Sequence, residues 1–175
     1  VRCIKLINAY QNDYPGDGPN LMALYAFAAR HKMLVFNHAW REAEIRRIAA
    51  EFPETDFIFG HYWGGYQDTI MTTYANVYTN IWSYGPMGWL ERGIQQVGAH
   101  KFMLGSDGFL NAPSVGIGPV VFANITDDEK RQILGLTLAR LLAKVGAWEP
   151  LTPQSRTRRP RSIPRQRKRA QPGLP

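Results

Sequence analysis

The sequence predicts a parallel α/β fold, a partial TIM (β/α)8 barrel comprising about strands 4–8 with their helices. Three observations lead there. Short apolar runs alternate along the chain with segments of helical period, the pattern of a parallel sheet covered by helices. Successive apolar runs begin about 20 to 30 residues apart, a spacing suited to βα units. Five such units occupy roughly 150 residues, whereas a closed eight-stranded barrel usually needs about 250. A doubly wound five-stranded sheet is the rival, but its first turn would carry a phosphate loop, which Asn8-Ala-Tyr-Gln-Asn12 does not resemble.

The first strand is the apolar run over 3–7; the turn-rich loop 12–20 and a helix over about 21–31 come after it. A strand over 33–37 leads to a helix over about 42–51 that Pro53 stops. Residues 56–59 form a third strand, with a weaker helix over 65–75; 76–79 form the fourth, with a helix over about 89–97. The fifth strand, 101–104, runs into a Gly- and Pro-punctuated stretch, 105–124, expected to be loop. Thr126-Asp-Asp-Glu129 then reads as a capping box that opens a helix to about Lys144.

The 175 residues carry a net charge of +7, which suggests a nucleic-acid partner until the charges are located. Eight of the 21 basic residues (Arg156, Arg158, Arg159, Arg161, Arg165, Arg167, Lys168 and Arg169) lie beyond residue 150 with no acid among them, which leaves 13 bases against 14 acids in 1–150. The basicity therefore belongs to a tail. The expected domains are the barrel part, 1–148, and a disordered basic tail, 149–175, too poor in apolar residues to offset its ordering entropy. Nucleic-acid binding through that tail is a minor alternative, since it has no interleaved aromatics.

Cys3 is the sole cysteine, which excludes an intrachain disulfide; in a strand it is expected to be buried and inert. Neither a membrane span nor a signal peptide is visible, and a cytoplasmic location is expected. Because Val1 runs straight into an apolar strand, a preceding N-terminal part is also expected.

In parallel α/β folds the ligand site forms where the strands' carboxyl ends converge. The residue just after each apolar run is therefore informative. His38 ends the second, His61 the third and Asp107 the fifth. Side chains two apart share a strand face, so His38 is in phase with Leu34 and Phe36, His61 with Phe57 and Phe59, and Asp107 with Met103 and Gly105. If those faces point inward, two imidazoles and a carboxylate meet, a donor set suited to a divalent ion such as zinc. Trp40 and Trp63 each follow a histidine by two residues and are candidates for the wall of a substrate pocket. His31 reads as a helix C-cap, His100 as a solvated turn residue and Lys5 as a packing or ion-pair group.

The segments Ile4-Lys-Leu-Ile-Asn8, Val35-Phe-Asn-His38, Phe59-Gly-His61, Val97-Gly-Ala-His-Lys-Phe-Met-Leu-Gly-Ser-Asp107 and the helix from Asp128 to Leu142 resemble, in order and spacing, the second half of an amidohydrolase-related metal-dependent hydrolase. The resemblance covers about residues 1–145. It implies that His38 is a metal ligand, that His61 binds the metal or serves as acid/base beside it, and that Asp107 contacts the metal and takes the proton of the attacking water. The family's His-x-His on strand one has no counterpart here, and Lys5 sits mid-strand rather than at the strand end where some relatives carry a bridging lysine, which favours a single metal. Hydrolysis of a C–N or C–O bond in a small, carboxylated or aromatic substrate is the leading expectation. Decarboxylation by the same residues and an inactive half-barrel needing a partner chain stay open; a small-molecule substrate and a homo-oligomer are the partners considered.

Overall fold

The computed structural model describes residues 1–82, 85, 88–108 and 110–149. The basic tail lies outside the described residues, and the expectation of its disorder with it. Five strands, β1 (Cys3–Leu6), β2 (Leu34–Asn37), β3 (Phe57–Phe59), β4 (Val77–Ile81) and β5 (Phe102–Leu104), form one parallel sheet in the order β1-β2-β3-β4-β5. The sequential order decides between the two fold expectations. A doubly wound sheet reverses direction at a switch point, whereas a barrel wall adds each strand beside the last.

The helices are α1 (Pro19–Arg30), α2 (Glu42–Glu51), α3 (Tyr66–Thr73), α4 (Trp89–Val97), α5 (Pro113–Phe122), α6 (Asp127–Arg131) and α7 (Thr137–Lys144). Their limits have local causes. Pro19 occupies the first turn of α1, where its missing N–H is no loss. The Thr126 hydroxyl accepts from the Glu129 amide at 3.3 Å while the Glu129 carboxylate accepts from the Thr126 amide at 2.8 Å, so the capping box forms as the sequence predicts. A π-helical turn, Gln132–Leu136, joins α6 to α7.

Helix α5 corrects the expectation of loop over 105–124. Gly116, Gly118 and Pro119 argue against a helix by propensity, but tertiary packing overrides them. A Cβ at Gly116 would overlap the Gly105 carbonyl, so the glycine lets α5 lie against the end of β5 with Val120 fully buried.

The sheet has two unlike faces. One carries Val35, Phe57, Phe59, Val77, Ile81 and Phe102 into the main core, against Tyr25 and Ala28 of α1, Ile45 and Ile48 of α2, Ile70 and Met71 of α3 and Leu90 of α4. The other, the barrel's inner face, carries Leu34, Ile58 and Met103, closed at one end by Leu141 and Val145 with Phe36 and Tyr78 alongside. Cys3 pairs in register with Leu34 on this inner side of the edge strand, and is exposed rather than buried. Among the described residues no helix is long and apolar enough to cross a membrane.

Several polar groups at the sheet's amino end are closely paired, although the buried Thr55 hydroxyl has no partner. The Asn76 amide donates to the carbonyls of Ala49, Phe52 and Thr55, and the Lys101 ammonium to those of Tyr74, Ala75 and Val77. Lys144 of α7 reaches buried Asp56, just ahead of β3, at 2.9 Å.

Candidate active site

At the carboxyl end the strands deliver three titratable side chains to one place. His38 leaves β2 with its amide donating to the Leu6 carbonyl at 3.1 Å, and its phase with Leu34 and Phe36 turns it to the inner face. Beneath it, buried Asn37 braces the β1 and β2 exits by donating to Asn8 Oδ1 at 2.8 Å and to the Ala39 carbonyl at 2.7 Å. Gly60 then lets β3 exit tightly against β2: its amide donates to the Asn37 carbonyl at 2.7 Å, and a Cβ there would meet the His38 Cα at 2.7 Å. The His38 and His61 rings consequently stand edge to face, 4.5 Å between centroids.

Strand parity fails for His61, for a physical reason. Phe57 and Phe59, with which His61 is in phase, face the helices rather than the barrel interior. His61 lies beyond the strand, where the alternation of faces no longer binds it. The close passage at Gly60 brings its ring to the His38 side all the same. Buried Gln67 fixes this turn, donating to the His61 carbonyl at 3.0 Å and accepting from the Trp63 amide at 2.7 Å.

Asp107 follows β5 in a left-handed conformation, φ +51°, which aspartate tolerates better than most residues and which recurs at functional sites. Its carboxylate lies 3.6 Å from His61 Nε2. That gap is too long for a hydrogen bond, and close to the separation of two donors each about 2.1 Å from one shared ion. His61 Nδ1 is buried without a hydrogen-bond partner.

Desolvation is the main electrostatic influence on both rings. It lowers the His61 pKa to about 4, opposed by Asp107 and reinforced by His38 and Lys5. His38 is also lowered, by desolvation first and Lys5 second, against the pull of Asp107. Both imidazoles are therefore neutral at pH 7, the form that binds metals. In kind, two neutral imidazoles and a carboxylate fit a borderline divalent ion; in number the shell is incomplete. Among the described residues no cluster of three or more His, Cys, Asp or Glu is arranged to hold one.

The two tryptophans separate. Trp63 is 64% exposed, 6.2 Å from the His61 ring, and also lines a cleft of about 620 Å³ with Tyr62, Asp68, Trp89 and Arg92. Trp40 is 2% exposed in the helix-side core, where it packs on Phe57 and Phe59 and donates to the Tyr25 hydroxyl at 3.1 Å. It is a packing residue and does not wall this site, because the chain turns toward α2 directly after His38. His31 caps α1 with its ring 4.2 Å from Phe27, and His100 is exposed, as expected of both.

Sequence reasoning missed two aromatic neighbours. Trp82 follows β4 and lies 4.4 Å from His61; Tyr10, in the turn after β1, stands edge-on to His38 at 4.6 Å. Extending the strand-end rule from titratable residues to any large side chain would have found Trp82. Tyr10 had no such signal.

Comparison with known proteins agrees with this geometry at the level of fold and family. A family model described as Amidohydrolase matches residues 1–144, and the chain belongs to that family, one of metal-dependent enzymes. The comparison with curated proteins found no match. An uncharacterized TIM-barrel protein from Bordetella bronchiseptica is 19% identical with a TM-score of 0.70, over 83% of this chain and 58% of that one. The 5-carboxyvanillate decarboxylase of Sphingomonas paucimobilis is 18% identical with a TM-score of 0.58, over 79% and 57%. A dihydroxybenzoic acid decarboxylase from Polaromonas, with bound manganese and the inhibitor 2-nitroresorcinol, is 10% identical with a TM-score of 0.59, over 74% and 55%. The chain thus spans rather more than half the length of these barrels, and the fold is a partial TIM barrel.

Proposed function

We propose that this chain supplies the second half of a metal-dependent active site that hydrolyses a small aromatic or carboxylated substrate. The observation that carries the reading is the meeting of His38, His61 and Asp107 at the carboxyl rim of the sheet. His38, His61 and Asp107 would hold the ion, zinc being the first choice for this donor set, with the remaining ligands coming from barrel strands outside this chain. When bound, a divalent ion polarises the substrate and lowers the pKa of water.

The protein's own groups then divide the work. Asp107 accepts the proton of the attacking water, and its left-handed backbone aims the carboxylate toward His61 for that purpose. His61, neutral at pH 7, hydrogen-bonds the reacting group. Trp63 and Trp82 flank it and offer flat apolar surface to an aromatic ring.

Decarboxylation is the second reading, favoured by the decarboxylases among the similar structures, with His61 as the proton donor. Incubating the metal-loaded full-length protein with a panel of aromatic amides, esters and carboxylic acids separates the two. Hydrolysis products without carbon dioxide support the first, and carbon dioxide release from an aromatic acid overturns it in favour of the second.

A further inference from the structure

Lys5 is exposed on the edge strand of the sheet, with its side chain on the inner face. It lies in β1 in register with Phe36 of β2, on the inner face and in the row that continues through Ile58 and Tyr78. Its ammonium sits 3.8 Å above the centre of the Phe36 ring, two residues short of His38 on the same strand face. Other lysines with a structural role here are tied to oxygen: Lys101 to three carbonyls, Lys144 to Asp56. Among the described residues no carboxylate lies within ion-pair distance of Lys5, and the group it contacts is an aromatic face.

The neighbourhood makes that cation consequential. Desolvation lowers the pKa of Lys5 and the nearby Asp107 carboxylate opposes it, so the lysine lies within reach of the rim's charge. A lysine held by a ring face keeps N–H donors on its far side for an anion, and a cation–π contact leaves it positioned without neutralising it.

We propose that Lys5 is the specificity residue of this site and binds the carboxylate of an aromatic acid, whose ring lies against Trp63 and Trp82. The proposal rests on the reading of the rim cluster as a reaction centre and adds the substrate's charge. A planar acid fits because the cation lies below the rim on the inner face while the aromatic side chains stand at the rim. Lys5 is thus a binding group, and the reacting bond is left to His61 and Asp107.

The test compares benzoate with benzamide, which share shape and differ in charge, by quenching of tryptophan fluorescence in the full-length protein and its Lys5→Met, Lys5→Gln and Lys5→Arg variants. The expected result is a loss of about tenfold or more in benzoate affinity in Lys5→Met and Lys5→Gln, retention in Lys5→Arg, and unchanged benzamide affinity in all three. Equal benzoate affinity in wild type and Lys5→Met, or no preference of the wild type for benzoate over benzamide, overturns the proposal. Neither result depends on turnover, so failure of the reaction assignment would show separately, as absent product in an otherwise anion-selective protein.

Discussion

The two ends of the sheet treat their ionisable groups differently, although each end also holds paired polar residues and an unpaired one. At the amino end, Asn76 and Lys101 each satisfy three carbonyls and Asp56 is matched by Lys144. At the carboxyl end, His61 Nδ1 is buried without a partner, His61 and Asp107 stand 3.6 Å apart without a hydrogen bond, and Asp107 has a left-handed backbone. Buried polar groups are nearly always paired, because an unpaired one costs about 1–3 kcal/mol. The amino end therefore belongs to stability. The carboxyl end retains groups whose partners come with function, which is the usual division of labour in parallel barrels.

The contrast is sharpest for Asn76. Truncation in Asn76→Ala should destabilise by about 3 kcal/mol, because three carbonyls lose one donor. Urea unfolding that shows a loss under about 0.5 kcal/mol would break the assignment of this end to stability.

Next comes the pH dependence of the other end. His61 titrates at about 4 in the folded chain against 6.5 in the unfolded one, so the unfolded state takes up its proton first as pH falls. Its contribution is complete above pH 6.5 and is lost progressively down to about pH 4, on the order of 3 kcal/mol. Chelator-treated wild type should lose more stability across this window than His61→Gln. Parallel curves for the two proteins would show that His61 is not held neutral by the fold.

A smaller loss is expected of Lys144→Met, which leaves the buried Asp56 carboxylate without its cation. Half-exposure of the lysine limits the effect to about 1 kcal/mol in thermal unfolding. The smallest effect falls back on the rim: at pH 7, His61→Gln should change stability by less than about 1 kcal/mol, since it removes a group that is itself unsatisfied. A loss as large as that of Asn76→Ala would make His61 a structural residue.

Much of the fold and of the rim could be read from sequence, and the exceptions are physical. The strands were legible because each apolar run is short and bounded, and the rim residues because a parallel sheet sends its ligands to the strand ends. Helix α5 was hidden by Gly116 and Pro119, whose reason lies in the close contact with Gly105 rather than in local propensity. For His61 the strand-end rule holds and the parity rule does not, since period-two alternation stops at the strand end and Gly60 directs the chain beyond it. Trp40 was misread because spacing from His38 says nothing about which side of the sheet the chain takes next. Asn76 and Lys101 gave no signal, as their carbonyl partners come from segments up to 27 residues away in sequence.

The most direct test is metal content and turnover measured together in the full-length protein, in wild type, His38→Ala and Asp107→Asn. Wild type should hold about one divalent ion per barrel. His38→Ala should lose both ion and turnover, because it removes one of the few protein ligands such a site has. Asp107→Asn should lose turnover further than metal, since an amide can stay near the ion but cannot accept a proton. Full metal occupancy with near-normal turnover in His38→Ala would contradict the assignment of the reaction centre to this rim.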